Sequence, residues 1–202
     1  MQDGEALSKV PAHHTDGQHD SSNERLVERI AAGDRPAMQV LYARHHLRVY
    51  RFVLRIVNDA ATAEDLTSDA FLDVWKNARR FEGRSQVSTW ILSIARYKAL
   101  AALRRCANDP LDEKMACKIP DSADDPEVIL QKQNESAVLR QCLTQLSPVH
   151  REIIDLVYYH EKSVAEVAEI IGAPQNTVKT RMFHARKRIA ALLDARGFEA
   201  AA

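Results

Sequence analysis

The sequence predicts an all-α protein in which two small helical domains, an amino-terminal helical bundle and a carboxy-terminal helix-turn-helix domain, are joined by a flexible acidic linker. Apolar residues make up 46% of the 202 positions and recur at helical spacing, and there are only 6 glycines and 7 prolines. Residues typical of helix N-caps precede the apolar runs. Between residues 108 and 125 this pattern stops, and prolines stand among a surplus of acidic residues.

Three amphipathic helices are expected in the first half. Asp34 and Pro36 are typical of an N-cap and a first-turn proline, and the helix they begin extends to about Val57. Asn58 and Asp59 are expected to cap a second helix, and a third is expected over about residues 86–105. Three such helices can close a small bundle. The apolar positions assigned to their inner stripes are Val40, Leu41, Leu47, Val49, Tyr50, Val53, Leu54, Leu66, Ala70, Val74, Val87, Ile91, Ile94, Ala95 and Leu103.

The second half begins with the same kind of signal. Asp125 and Pro126 start a helix that is expected to run to about Leu146. Ser147 and Pro148 start the next helix. Its apolar side chains are Ile153, Ile154, Leu156 and Val157.

Residues 163–193 predict a helix-turn-helix. Ser163 with Glu166 three positions later forms a capping box for a short helix that Gly172 ends. The turn to Pro174 leads directly into a longer helix, as in helix-turn-helix proteins. This helix buries Val178, Met182, Ala185, Ile189 and Leu192. Its outer face suits a DNA major groove, with a basic solvated helix as the alternative, and presents Gln175, Asn176, Thr177, Lys179, Thr180, Arg181, His184, Arg186, Lys187 and Arg188.

Charge is strongly segregated although the formal net charge is zero. Residues 76–105 carry eight basic side chains and one acidic side chain, whereas residues 108–136 carry three basic and eight acidic side chains. Residues 174–202 carry six basic and two acidic side chains. Two basic blocks separated by an acidic spacer predict two surfaces that face a polyanion, with the spacer held away from it by repulsion.

These patterns divide the chain into four segments: a disordered tail at 1–22, a first domain at 23–107, a linker at 108–135 and a second domain at 136–195. The tail is expected to be disordered because it cannot bury enough apolar surface to offset chain entropy. Its histidines are candidate metal ligands, although a solvated tail is the favoured interpretation. They are His13, His14 and His19.

Several function classes are disfavoured. Cys106, Cys117 and Cys142 match neither a metal-ligand spacing nor a disulfide framework, so a reducing cytoplasm is expected. There is no apolar run of about 18 residues for a membrane helix and no secretory signal pattern. No Gly-rich phosphate loop, metal-ligand cluster or nucleophile with a neighbouring base is recognisable, so we expect no cofactor, no metal and no enzymatic activity.

The residues of three segments resemble a known family. The run from Val164 to Arg188 resembles the carboxy-terminal promoter-reading region of extracytoplasmic-function sigma factors, although many members have glycine where Asn176 stands. Residues 63–75 resemble the segment by which these factors grip the clamp helices of RNA polymerase, and residues 81–105 resemble the segment that opens the minus-ten element. The resemblance covers about residues 24–105 and 136–193 and is to the minimal two-domain type.

The resemblance implies residue roles and partners. The partners are core RNA polymerase, through its clamp helices and flap, promoter DNA and an anti-sigma factor, and the setting is a stress or envelope response. The polymerase-binding residues would be Asp65, Leu66, Asp69, Phe71, Leu72 and Trp75. On the minus-ten element, Arg84, Ser85 and Gln86 would capture a flipped base and Arg96, Lys98, Arg104 and Arg105 would hold phosphates. On the minus-thirty-five element, Phe183 would join the outer-face residues of the last helix.

Some alternatives remain open at the level of sequence. Trp90 and Tyr97 can stack on bases, but burial is favoured for Trp90. Likewise, burial in the bundle competes with the interface role of Phe71 and Trp75. The linker either threads through polymerase or is a solvated tether. The main functional alternative is a stand-alone helix-turn-helix regulator, and a second is a sigma mimic in a partner-switching cascade.

Overall fold

The computed structural model describes residues 22–108 and 141–195, with side chains of the first stretch described to residue 106. Both stretches are helical and neither contains a strand, which confirms the predicted all-α class. The tail with its histidines, Cys117, most of the linker and the helix expected to start at Asp125, as far as residue 140, lie outside the described residues.

The first domain consists of an antiparallel bundle. Its helices are α1 (Asn23–Ala31), α2 (Arg35–Val57), α3 (Ala60–Asn77) and α4 (Val87–Asn108), with a 3₁₀ turn at Ala78–Arg80 between α3 and α4. The predicted caps form: the side chain of Asp34 accepts a hydrogen bond from the amide of Ala37 (3.1 Å), and that of Asp59 accepts one from Thr62 (2.7 Å). The starts of α2 and α3 are therefore set by local polar contacts.

The core of the first domain corrects three of the assigned stripe positions. Leu41, Phe52, Val53 and Ile91 are at most 1% exposed. In contrast, Val40, Leu47 and Leu103 are exposed by 42%, 54% and 40%. They lie at the margin of the apolar stripe, and a helix packed against neighbours on one side cannot bury a stripe of that width.

Helix α1 is a further difference, because the apolar pattern alone did not predict it. It is only nine residues long and follows a polar segment, so its periodicity is short. Its three large apolar residues are nevertheless 2% exposed: Leu26, Val27 and Ile30. Burial against α2, together with the Ser22 side chain that caps its first turn, stabilises a helix too short to persist alone.

The second domain contains the predicted helix-turn-helix. Helical residues 141–144 precede α5 (Pro148–Ile154), which continues into a π-helical turn at Asp155–Tyr159. Helices α6 (Val164–Ile171) and α7 (Gln175–Asp194) follow. The capping box of Ser163 and Glu166 is present, and Gly172 adopts the left-handed conformation (φ 67°) that ends α6.

The two domains pack directly against each other. One buried apolar cluster includes Ile91 and Leu92 of α4 together with Leu156, Val167 and Val178 of the second domain. Helix α4 lies against α6. The hydrophobic face of each domain is thus completed by the other, a contact that the separate periodicities of the two halves do not predict.

Candidate nucleic-acid interface

Helix α7 presents one continuous polar and basic face. Its inner residues Val178 and Ala185 are fully buried, and Met182, Ile189 and Leu192 are partly buried. Thr177 and Arg181 are half-buried at the edge of the opposite face. The exposed residues of that face are Gln175, Asn176, Lys179, Thr180, Phe183, His184, Arg186, Lys187 and Arg188. The predicted outer-face set therefore lies together on the side of α7 that is turned to solvent.

The start of α7 is suited to an anion. Pro174 supplies no side-chain cap, and its carbonyl accepts the amides of Thr177 (2.9 Å) and Val178 (3.2 Å). The amides of Gln175 and Asn176 precede these bonds at the positive end of a 20-residue helix. A DNA phosphate placed there would gain both amide donors and the helix dipole. Farther along, the guanidinium of Arg186 lies 5.6 Å from the ring centroid of Tyr158.

The loop between α3 and α4 contains the residues predicted to capture a base. Gly83 has a φ of 67°, a left-handed conformation that other residues rarely adopt. Arg84 is 83% exposed and pairs with Glu82 (2.8 Å). Ser85 is half-buried, and the side-chain oxygen of Gln86 accepts a hydrogen bond from Lys162 of the second domain (3.2 Å).

The four predicted phosphate contacts of α4 fall into two groups. Arg104 and Arg105 are exposed. The guanidinium of Arg96 makes a bidentate contact with Glu152 of α5 (2.6 and 3.2 Å), and Lys98 pairs with Asp73 of α3 (2.8 Å). Arg96 is thus engaged by the second domain and not free for DNA in this arrangement.

The predicted polymerase-binding residues of α3 divide between surface and core. Asp65, Asp69 and Leu72 are exposed, and Leu72 is exposed by 53%. Leu66 and Phe71 are 7% and 2% exposed, so both lie in the core of the first domain, and their contact with polymerase stays a prediction. Phe71 packs edge-on against Tyr42 (centroid distance 4.8 Å), and both residues hold α3 in the bundle. Trp75 is half-buried and belongs to the same core.

Comparison with protein families gives the same division into two halves. The family model described as Sigma-70 region 2 matches residues 41–108, and the one described as Sigma-70, region 4 matches residues 136–189. Together they cover more than half of the chain. The chain belongs to the sigma-70 family.

Relatives of this sigma factor agree with the assignment. A protein named ECF RNA polymerase sigma factor SigK from Mycobacterium bovis is 27% identical over 177 residues, covering 86% of this chain and 95% of the relative. The protein of that name from Mycobacterium ulcerans is 29% identical over 184 residues, with coverages of 89% and 97%. The chain is therefore a sigma factor of the extracytoplasmic-function type.

Two solved structures share the fold. CnrH in complex with the cytosolic domain of CnrY has a TM-score of 0.62 at 22% identity and covers 86% of this chain and 97% of its own. The sigma factor RpoE in complex with the anti-sigma factor NepR from Bartonella quintana has a TM-score of 0.62 at 23% identity, with coverages of 76% and 94%.

A sigma factor binds core RNA polymerase and directs it to promoters, so the main functional prediction is confirmed over the stand-alone regulator.

A groove between α3 and α4 adds Arg80 to the sigma factor's candidate DNA surface and includes Tyr97. The groove has a volume of about 420 Å³ and lies between α3 and α4, lined by Asp73, Asn77, Arg80, Trp90, Ser93, Ile94 and Tyr97. Tyr97 is 70% exposed, whereas Trp90 packs against Phe81 (centroid distance 4.8 Å). The sequence had offered Tyr97 as a residue that can stack on bases, whereas Arg80 was not among the predicted site residues. The exposed position of an aromatic residue on a basic helix was the available signal.

The described residues hold few groups suited to other chemistry. Within residues 22–108 and 141–195, no cluster of histidine, cysteine and acidic side chains is arranged to hold a metal ion. Of the cysteines in these ranges, Cys106 is exposed and Cys142 is buried. No described helix combines the length and the apolar character that crossing a bilayer demands.

Glu166 connects the capping box of the sigma factor to the domain contact. Its carboxylate accepts hydrogen bonds from Lys162 (2.8 Å), from the hydroxyl of Thr89 in α4 (2.7 Å) and from Ser163. Burial acts to raise the pKa of Glu166, but these hydrogen bonds outweigh it and hold the pKa at about 2. The ionised carboxylate therefore stabilises the fold above the ordinary carboxyl range, and this contribution is lost as the pH falls toward 2.

We expect Glu166→Gln to lower the free energy of unfolding by about 1 to 3 kcal/mol at pH 7, because it removes a charged acceptor of several hydrogen bonds. Urea unfolding at pH 7 and pH 3 measures the effect, and the difference from the parent protein should shrink at pH 3. Glu169→Gln, at an exposed position of the same helix, is the matched control. Equal effects of the two substitutions, or no pH dependence, would contradict this role of Glu166.

Proposed function

We propose that this sigma factor uses three surfaces in promoter-specific initiation. Helix α7 would read the minus-thirty-five element as duplex, the loop at residues 82–86 with α4 would capture and hold the opened minus-ten strand, and the exposed part of α3 would bind the polymerase clamp. The observation that carries this proposal is the single solvent-facing basic face of α7, mounted on a helix-turn-helix whose other side is buried.

Promoter opening places a specific demand on the first domain. A flipped base must leave its stack at a cost of a few kcal/mol, which capture of the exposed strand has to offset. Arg84 and Ser85 offer donors next to Gly83, and Tyr97 offers an exposed ring along the groove between α3 and α4. Arg104 and Arg105 would hold phosphates beyond it.

The domain contact has to break when both promoter elements are bound. The two elements are separated by about 25 base pairs, or about 85 Å at 3.4 Å per base pair, whereas a compact chain of this size is on the order of 45 Å across. A fully extended chain of the length of residues 108–135 reaches about 95 Å. We therefore propose the four segments with the boundaries that the sequence predicts. We also propose two states of the domain contact: a closed state in which Gln86 and Arg96 face the second domain, and an open state that frees both residues for DNA.

The proposed polymerase contact depends on Leu72. Its exposed apolar side chain lies among the carboxylates of Asp65 and Asp69, and large apolar groups within a polar rim are typical of binding hot spots. We expect Leu72→Arg to raise the Kd for core polymerase by about 30-fold, the effect of a hot-spot side chain worth about 2 kcal/mol. Titration of labelled protein with core enzyme measures it.

The control for this contact is Val149→Arg, which changes a side chain of similar exposure (43%) in the second domain. It should leave the affinity of the first domain for the clamp unchanged. If both variants bind core polymerase as tightly as the parent protein, the clamp-binding face lies elsewhere.

We further propose that the chain is a cytoplasmic, non-enzymatic factor without a cofactor, and that polymerase performs the nucleotide chemistry. Control by an anti-sigma factor is supported by the solved structure of a protein of the same fold, RpoE, with the anti-sigma factor NepR. The resemblance to the family implies a stress or envelope response as the setting.

One comparison tests the function directly. Purified protein should bind promoter DNA weakly alone and should support specific initiation only after it is mixed with core polymerase, with a genomic fragment library as template. Tight DNA binding without polymerase, and no transcription with it, would instead support a stand-alone regulator. Binding to an anti-sigma protein without promoter activity would support a sigma mimic.

A further inference from the structure

A buried histidine lies at the contact between the two domains. His160 follows the π-helical turn of the second domain and is 4% exposed. Its ring packs edge-on against Phe52 of α2 (centroid distance 5.4 Å). It also lines a cavity of about 160 Å³ between the domains, together with His45 and Arg48 of α2 and Lys162. The environment of this imidazole therefore depends on whether the domains are in contact.

Asp155 is shared between the two domains. Its side chain is 7% exposed, and one carboxylate oxygen forms an ion pair with the guanidinium of Arg55 from α2. The other oxygen, Oδ2, lies 3.5 Å from Nε2 of His160. Neither Oδ2 nor this Nε2 makes a hydrogen bond. Asp155 therefore faces Arg55 of the first domain with one oxygen and the imidazole of its own domain with the other.

We propose that protonation of His160 releases the second domain from the first, because a buried imidazolium would stand beside the cations of α2 and would partly neutralise the carboxylate that pairs with Arg55. In the closed state Asp155 pairs with Arg55 across the domain contact. When His160 gains a proton, the imidazolium offers Asp155 a partner within its own domain and stands beside the cations of α2. Acid thus weakens the contact and moves the sigma factor toward its open state.

The charges around His160 favour its neutral form in the closed state. Burial, followed by the charges of Arg55, Arg48 and Lys162, lowers the pKa of His160 to about 4. Lys162 is itself held by Glu166, Gln86 and Ser88. The titratable and charged groups that face the imidazole are His45, Arg48 and Arg55 from α2 and Asp155, Tyr159, Glu161 and Lys162 from the second domain.

Separation of the domains removes most of this opposition to the proton. Phe52, Arg48 and Arg55 leave with the first domain, whereas Asp155 stays five residues from His160 in the same chain segment. The pKa of His160 then returns at least to its ordinary value of about 6.5. Because the closed-state pKa is the lower one, the closed state has its full stability above about pH 6.5 and loses it as the pH falls toward 4.

His45 acts in the same direction with less effect. Burial, followed by Arg44, Arg48 and Lys162, lowers its pKa in the closed state. Its Nε2 is buried and makes no hydrogen bond. Protonation of His45 therefore also opposes closure. Among the described residues, however, no carboxylate is one of the groups that shift its pKa, so its protonation would not weaken the pair of Arg55 with Asp155.

Site-resolved thiol labelling of the full chain can test the acid-dependent release of the domains even when the open state is rare. Thr89→Cys places a thiol at a fully buried position of α4 whose hydroxyl contacts Glu166 of the second domain. The exposed thiol of Cys106 in the same chain serves as the internal reference for reagent chemistry. With a dithiodipyridine reagent, the labelling rate at position 89 relative to Cys106 should rise about 30-fold between pH 7.5 and pH 5.0.

His160→Gln in this background should abolish most of the rise, whereas His150→Gln, in α5, should keep it. Asp155→Asn separates the ion pair from the titration: its relative rate should already be raised at pH 7.5, because the substituted amide cannot form an ion pair with Arg55, and the rise with acid should remain, because His160 still titrates. A pH-independent rate in the Thr89→Cys protein, a full rise in His160→Gln with helix content preserved by circular dichroism, or an unraised rate in Asp155→Asn at pH 7.5 would overturn the proposal.

The acid-dependent release rests on the proposed function only in one respect, namely that the open state is the one proposed to bind DNA. The labelling experiment uses neither polymerase nor promoter DNA. A negative result would therefore contradict the acid-dependent release of the domains and would not affect the proposed promoter-reading surfaces. Failure of transcription with core enzyme would contradict the proposed function and would not affect the domain contact.

Discussion

Simultaneous replacement of Lys179 and Arg181 by alanine is expected to reduce transcription from the cognate promoter by at least about 30-fold, with little change in the affinity for core polymerase. Lys179 is exposed and Arg181 is half-buried at the edge of the same face of α7. A good side-chain contact to a base edge contributes about 1 to 3 kcal/mol, so removal of two such side chains costs about 2 to 6 kcal/mol. In vitro transcription from a promoter selected out of a genomic library measures the reduction.

Two controls separate this effect from a general decrease in positive charge. Arg25→Ala removes an exposed cation from α1, far from α7 in sequence, and should leave transcription unchanged. The salt dependence of holoenzyme binding to the promoter should become shallower by about one unit for each phosphate that the double variant no longer neutralises. Normal transcription by the double variant would show that another face of the second domain reads the promoter.

The proposed interaction surfaces of this sigma factor differ in how much of each is occupied by the domain contact. The basic face of α7 and the exposed part of α3 are turned to solvent, as the contacts proposed for them with DNA and polymerase require. The surface proposed for the minus-ten strand is partly occupied, since Arg96 pairs with Glu152 and Gln86 with Lys162. Opening of the domain contact would therefore affect strand capture more directly than duplex recognition.

Much of the fold could be predicted because its signals are local. Asp34, Asp59 and Ser163 cap helices through contacts with residues three positions away, and Gly172 ends α6 by a conformation of its own backbone. The outer face of α7 follows in the same way from the helical period and the type of side chain. These features need no knowledge of what each helix packs against.

The features that escaped prediction depend on distant partners. Arg96 and Glu152 are 56 residues apart, and nothing in the neighbourhood of either indicates that they meet. The same holds for Arg55 and Asp155. Leu66 and Phe71 share α3 with exposed Leu72, and only the position of α2 decides which of them are covered. A carboxylate or an apolar side chain on a helix suits both a domain contact and a partner surface, so the period alone cannot separate the two.

Phe52→Ala is expected to have the largest effect on stability, lowering the free energy of unfolding by about 3 to 5 kcal/mol. Phe52 is 1% exposed, belongs to the apolar cluster that both domains share and contacts the ring of His160. Removal of its ring leaves a cavity at the centre of that cluster, which surrounding helices can close only in part. The melting temperature should fall by roughly 10 °C, as calorimetry at neutral pH can measure.

Leu47→Ala on the same helix is the matched control. Leu47 is an apolar residue of α2 exposed by 54%, so its truncation should change stability by no more than about 0.5 kcal/mol. The pair of variants tests the rotation of α2, because the sequence pattern assigned both buried and exposed residues of this helix to one stripe. If the two substitutions destabilise the protein equally, α2 presents a different face to the core, and the positions of Arg55 and Phe52 at the domain contact would have to be abandoned with it.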